Sequence, residues 1–273
     1  HHLRSVGTVR NYEQGLTRVA EWTQRERLPG GLRAMTPELA IRYLEQRGQE
    51  VGQKALDMER QAMQAMMQHV TGQLAHGARI PVIKSEQAQV LTARAYTAPQ
   101  VALIAAAQTP RHGLATELAY AAGLRAHELL TLRRGEERAA DPRPALASKW
   151  QGRNGVIYTV HGKGGLVREV LLPHALAERL EAVRLDAPLA ITDRGIHYQS
   201  HYDIGGGQRW SNSVSAASER ALGWSTGAHG LRHSYAQERM AELQASLSRD
   251  AALTTVSQEM GHFRPEITET YLR

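Results

Sequence analysis

Four short segments of this 273-residue chain concentrate side chains that bind anions and move protons. They are Gly123-Leu124-Arg125-Ala126-His127-Glu128-Leu129, His161-Gly162-Lys163-Gly164-Gly165, His229-Gly230-Leu231-Arg232-His233-Ser234, and Gly261-His262 followed by Thr270-Tyr271. A guanidinium offers paired donors that match two oxygens of a phosphate, which makes Arg125 and Arg232 candidate clamps. An imidazole gives or takes a proton near neutral pH, the chemistry available to His229 and His262. Lys163 stands among glycines and is one of four lysines, with Lys54, Lys84 and Lys149. The Tyr271 hydroxyl can serve as a covalent nucleophile. Fixed cations around such a nucleophile would stabilise the negative charge that builds on a phosphoryl centre under attack. Each residue taken alone has an ordinary reading. Arg125 can pair with Glu128 or Glu117, Arg232 can simply open a helix, each histidine can cap one, and Lys163 can be a solvated turn residue. His233 reads as structural. Tyr198, Tyr202 and Tyr235 are rival nucleophiles, but none follows a Gly-His segment.

Stepwise apolar periodicity supplies the elements that must hold these residues. Val9, Tyr12, Leu16, Val19 and Trp22 recur at helical steps, and Leu28-Pro29-Gly30-Gly31 ends that helix. Thr36 caps and Pro37 opens a second helix that runs to Gly48. A third is expected over about 53–75, with Leu56, Met63, Met66, Met67, Val70 and Leu74 on its apolar face. Such a methionine stripe reads first as core. Residues 78–98 break the pattern. The boundaries that follow are a helical domain at 1–83, a linker at 84–98 and a mixed domain at 99–273. In the second domain, helices are expected over 98–108, 111–122, 127–133, 174–186, 211–222, 230–247, 254–260 and 266–272. Gly155–His161 and Leu166–Leu172 alternate as strands around a hairpin turn at Gly162–Gly165. The span 138–150 reads as irregular and basic, and Tyr198–Arg209 reads as a loop. The fold class is mainly α with a small β-sheet, an α+β chain.

Composition narrows the chemistry. The apolar share of 42% suits a globular core, and the formal charge of +6 suits a polyanion partner. Without cysteine there is no disulfide, thiol catalysis or cysteine-type zinc site. The pair His197 and His201 would bind a metal only if helical, and neighbouring glycines argue against that. No metal and no cofactor is expected. No apolar run is long enough to span a bilayer and no signal peptide is visible, so no membrane partner and a cytoplasmic, nucleoid-associated location are expected. The opening His1-His2 reads as a tag remnant, with the natural N-terminus upstream.

In this order and spacing, the four segments resemble those of the tyrosine recombinases, the phage-integrase family, and the resemblance covers essentially the whole chain. It is most specific in His-x-Leu-Arg-His, then Gly-His, then Tyr nine residues on. It implies a helical core-type DNA-binding domain followed by a catalytic domain, and site-specific DNA recombination by the integrase of a mobile element. The implied site has Tyr271 as nucleophile, Arg125 and Arg232 as phosphate clamps, and Lys163 as the acid that protonates the departing 5′-oxygen. His229 would bond a phosphate oxygen or take the tyrosine proton, His262 would donate to the phosphate, and Glu128 would orient Arg125. Strands would be exchanged by a homotetramer on double-stranded DNA through a Holliday junction, the free protein being a monomer or weak oligomer, with room for DNA-bending accessory proteins. Two departures stand out. Ala122 precedes Gly-Leu-Arg where the family often has a small hydroxyl residue. Only Leu272 and Arg273 follow Tyr271, where family members continue with a helix that docks on a neighbouring subunit. The alternatives are a type IB topoisomerase-like relaxing activity and a non-catalytic DNA-binding protein of the same fold.

Overall fold

The computed structural model describes residues 6–89 and 91–273; the side chains of Val6 and Lys163 lie outside this description. The chain divides into two compact units, His1–Leu91 and Thr92–Arg273.

The regular elements of the first unit are all helical, and residues 72–89 are irregular. Helix α1 spans Val6–Arg25, a short 3₁₀ turn covers Gly31–Ala34, and α2 spans Pro37–Gly48. The Thr36 hydroxyl accepts from the Leu39 N–H at 3.3 Å, so the expected cap forms. Helix α3 spans Gln53–Met66 and widens into a π turn at Met67–Thr71. It stops short of the expected 75 because Gly72 turns left-handed at φ 70°. Met63, Met66 and Met67 pack with Val19, Trp22, Tyr43, Leu44 and Leu56, so the methionine stripe is core. One carboxylate is buried among them. Glu59 accepts from Arg18 Nε at 2.7 Å, Tyr43 Oη at 2.7 Å and Arg47 Nε at 3.3 Å.

The second unit surrounds a small antiparallel sheet with helices. Helices α4 (Ala98–Ala106) and α5 (Pro110–Ala122) come first. Where a helix was expected over 127–133, a 3₁₀ turn at Glu128–Thr131 leads into a short strand β1 (Arg133–Arg134). The helix is cut short because Arg133 and Arg134 pair with Thr159 and Tyr158 of the strand that follows, which takes the chain out of helical conformation at Leu132 (ψ 131°). The buried Glu128 carboxylate accepts the Arg125 N–H at 2.8 Å at the start of this turn. Strands β2 (Val156–His161) and β3 (Val167–Leu172) form the expected hairpin, paired from Val156↔Leu172 to His161↔Val167, with β1 added at the edge.

Helix α6 covers only His174–Glu181. A second hairpin follows, β4 (Arg184–Asp193) with β5 (Ile196–Tyr202), where a helix end and a loop were expected. Arg194 and Gly195 both have positive φ, 50° and 75°, the turn that matches the twist of a two-residue hairpin. Pro188 falls in the irregular register between Arg184 and Leu189, where a strand tolerates a missing N–H. His197 and His201 therefore lie on a strand, roughly 13 Å apart along it, which is no metal-chelating spacing. Helix α7 (Gly207–Leu222) begins four residues before its expected start. Helices α8 (Gly230–Gln244), α9 (Arg249–Glu259) and α10 (Pro265–Glu269) complete the chain. Among the described residues, no helix is long and apolar enough to cross a membrane.

Candidate active site

The site grows from the end of α5. Gly123 closes that helix at φ 57°, and a Cβ there would stand 2.8 Å from the Tyr235 ring, so both backbone and packing require glycine. The chain then reverses so that the Gly123 carbonyl and the Arg125 N–H face inward. The Glu128 carboxylate is fully buried and accepts from Arg125 twice, from its N–H and from Nη1, each at 2.8 Å. The ordinary ion pair Arg125–Glu128 thus exists; Glu117 instead pairs with Arg179.

Helix α8 delivers Arg232 and the two histidines beside it. Arg232 is fully buried. Its Nη1 donates to the Gly123 carbonyl and stands 3.9 Å from Glu128 Oε2. Its Nη2 lies 3.0 Å from His262 Nε2 and 3.4 Å from the Met260 carbonyl, while its Nε has no partner among the described residues. A turn after α9 carries His262. Its Nδ1 lies 2.9 Å from the Thr268 hydroxyl. A guanidinium only donates, so His262 Nε2 accepts from Arg232 and the ring proton sits on Nδ1.

Helix α10 brings in Tyr271, which is 8% exposed. Its ring lies 5.0 Å from that of His262, 5.2 Å from His229 and 4.9 Å from His233, with the Arg232 Cζ 5.5 Å from its centroid. His233 Nδ1 donates to the Tyr271 carbonyl at 3.1 Å, and Gln237 donates to the same carbonyl at 3.2 Å. These bonds hold the tyrosine segment from below. The structure therefore brings Arg125, Glu128, His229, Arg232, His262 and Tyr271 into one place.

The rival tyrosines are engaged elsewhere. Tyr235 donates to Glu259 and Tyr202 to Glu181, while Tyr198 lies on β5. Lys163 opens the turn between β2 and β3, in which Gly164 and Gly165 have φ 83° and 87°. That turn starts beside the site: a Cβ on Gly162 would come within 3.6 Å of Glu128 Oε1.

The electrostatics favour an anion. Burial, joined by the Arg232 charge, pushes His229 and His262 down to about 3, so both are neutral imidazoles at neutral pH. Burial and Arg94 lower His233 to about 4. Arg232 falls to about 10 through burial and repulsion from Arg125. Burial alone would raise Glu128; the guanidiniums of Arg168, Arg125 and Arg232 outweigh it and hold the carboxylate well below its usual range. One of these three, Arg168, was not among the residues singled out from the sequence. The signal was present, since strand alternation puts Arg168 on the same buried face as Val170 and Leu172. An arginine at a core-facing strand position calls for a partner.

No protein-family model and no curated protein matches the chain. Solved structures do. A XerH site-specific recombinase bound to a palindromic difH substrate in a post-cleavage complex matches at 16% identity and TM-score 0.60, over 97% of this chain and 76% of that one. A lambda integrase dimer bound to a COC′ core site matches at 16% identity and TM-score 0.58, over 100% and 90%. The Tn1549 transposon integrase in complex with transposon right-end DNA matches at 13% identity and TM-score 0.56, over 96% and 89%. This chain has the fold of those recombinases and integrases, the fold that the motif resemblance implied.

Proposed function

We propose that this protein is a site-specific DNA recombinase that cuts and rejoins DNA through a covalent link between Tyr271 and a 3′-phosphate. The observation that carries the reading is the buried Arg232, held by carbonyls next to Tyr271 and His262, with its Nε unpartnered among the described residues. A cation excess of this kind fits a phosphate.

A scissile phosphate seated there takes donors from Arg125 and Arg232. The Tyr271 hydroxyl attacks phosphorus, and its proton passes to the neutral His229. The bond to the 5′-oxygen breaks, and Lys163, carried on the hairpin turn, protonates the leaving oxygen. The phosphate charge also offsets the field of the two guanidiniums, which draws a proton to His262 and turns its Nε2 from acceptor into donor. Rejoining runs the same steps backwards, with a 5′-hydroxyl as the attacker. The phosphodiester is conserved in the tyrosine ester, so ligation needs no ATP.

Partners follow from the same reading. Double-stranded DNA is held largely by sequence-independent phosphate contacts from both units, and four copies exchange strands through a Holliday junction, with accessory proteins free to bend the site. The solved neighbours with DNA in their complexes support this choice of partner.

The test uses a pool of random-sequence duplexes, each nicked just 3′ of a candidate cleavage position so that the short product diffuses away. The wild-type protein is expected to form an adduct that survives denaturant. Tyr271→Phe is expected to form none while still binding DNA. An adduct that persists in Tyr271→Phe contradicts the proposal, as does a complete lack of adduct with the wild type. Lys163→Ala is expected to cleave slowly and to recover on substrates whose 5′-oxygen is replaced by sulfur, a leaving group that needs no acid.

A further inference from the structure

The proposed site contains a residue whose burial its chemistry has not yet used. Arg168 lies on β3 and is only 4% exposed. Burying an arginine is costly unless it is paired and hydrogen-bonded. Arg168 meets that condition with two partners. Its Nη2 and Nε reach the Glu128 oxygens at 2.7 and 3.3 Å, and its Nη1 donates to the Glu259 carbonyl at 2.7 Å.

The acceptor capacity of Glu128 decides what this does. A carboxylate offers about four lone-pair sites. Arg125 fills two with its N–H and Nη1, and Arg168 fills the other two. Arg232 Nη1 is left 3.9 Å from Oε2, beyond hydrogen-bond reach, and donates to the Gly123 carbonyl, while Nη2 faces the Met260 carbonyl and His262. With Arg168 gone, two acceptor sites would open beside a buried guanidinium in a low-dielectric setting, and the attraction would pull Arg232 onto Glu128. A guanidinium locked in that pair has lost the donors a phosphate needs.

The same side chain also seats the His262 turn. A Cβ on Gly261 would come within 2.5 Å of the Arg168 Cδ, so the turn lies directly on the arginine stem. The Glu259 carbonyl that receives Nη1 is three residues before His262.

We propose that Arg168 is a positioning residue: by filling Glu128 it keeps Arg232 out of an ion pair with that carboxylate, so that the guanidinium can turn its donors to an incoming phosphate, and it seats the His262 turn. The proposal rests on the recombinase reading for its reaction, but not for its anion.

The test compares Arg168→Gln, Arg168→Lys, Glu128→Gln and the double variant Arg168→Gln/Glu128→Gln in single-turnover adduct formation, alongside melting and DNA affinity. Displacement of Arg232 is expected to slow Arg168→Gln about a hundredfold. DNA affinity should hold, because many other phosphates supply it. Arg168→Lys should fall between, since an ammonium fills one oxygen rather than two. The double variant should be no slower than Arg168→Gln, because a neutral amide does not capture Arg232. Losses that multiply in the double variant overturn the proposal. So does a wild-type rate in Arg168→Gln, or a loss in both Arg168 variants that simply follows their melting.

A second probe needs no cleavage: inorganic phosphate titrated against the His262 imidazole signals in NMR. Weaker phosphate binding in Arg168→Gln, regained in the double variant, is the expected result, and unchanged binding overturns the proposal. If the wild type forms no adduct, the recombinase reading falls and the phosphate titration still decides on Arg168.

Discussion

Two buried glutamates of the second unit, Glu128 and Glu259, both gather arginines, and they do so in opposite ways. Glu259 binds Arg239 through Nε at 2.9 and 3.2 Å and through Nη2 at 3.0 Å, and it also accepts from the Tyr235 hydroxyl and the Trp150 N–H. Arg239 Nη1 goes to Glu242, which pairs in turn with Arg153, so two acids meet two bases and every guanidinium nitrogen of Arg239 is used. Glu128 faces three guanidiniums alone, and the Nε of the most buried one has no partner among the described residues. The titrations differ accordingly. Burial works against the charge of both arginines, yet Glu259 bonding lifts Arg239 above its usual value while Arg232 drops to about 10. A balanced hub ties α8 to α9. An unbalanced one keeps an unmet demand for negative charge, and a binding site needs that demand.

Removing one arginine from each hub should separate the two roles. Arg239→Met strands the Glu259 charge in the core and is expected to cost about 3–5 kcal/mol in denaturant unfolding. A loss near zero would erase the contrast. Arg232→Met is expected to slow adduct formation by about 10²–10³-fold, the scale for losing one charge-stabilising donor, with a smaller stability loss than Arg239→Met. Equal stability losses with cleavage retained would make Arg232 a second staple.

Gly261→Ala sharpens the comparison further. Gly261 has φ 70° and lies against the Arg168 stem. The alanine is expected to destabilise the fold by about 1–2 kcal/mol and to shift the His262 ring signals. Unshifted signals would show that the turn is not seated on Arg168.

Acid should destabilise the fold in part through the histidines of the site. His229 and His262 titrate near 3 and His233 near 4 in the folded protein, against 6.5 for the ordinary side chain. The unfolded chain therefore binds protons first as pH falls, so these groups leave stability intact above 6.5 and erode it as pH drops from there toward their folded values. Glu128 stays ionised through that window. Substituting all three histidines by glutamine should flatten the slope; an unchanged slope would place the titration elsewhere.

Much of this was legible in the sequence because it is local. Apolar steps of three and four gave α1–α3, and alternation around Gly162–Gly165 gave the β2–β3 hairpin. Arg232 and the two histidines beside it occupy consecutive turns of one helix start. What was missed depends on contacts distant in the chain. Arg168 meets Glu128 across 40 residues and shows no spacing signal, only a polar residue on an apolar strand face. The β4–β5 hairpin was hidden because Gly195 and the glycines from Gly205 to Gly207 suggested a loop, whereas the Arg194-Gly195 turn pairs the two strands. The helix expected over 127–133 was cut to a short turn because a tertiary contact, the pairing of Arg133 and Arg134 with β2, overrode helical propensity.

The proposed recombinase joins Tyr271 to DNA beside Arg125 and Arg232. The most direct measurement is mass spectrometry of the trapped adduct after proteolysis, locating the residue that carries the nucleotide remnant. The expected result is a remnant on Tyr271 alone. A remnant on Tyr198, Tyr202 or Tyr235, or on no tyrosine, would contradict the account.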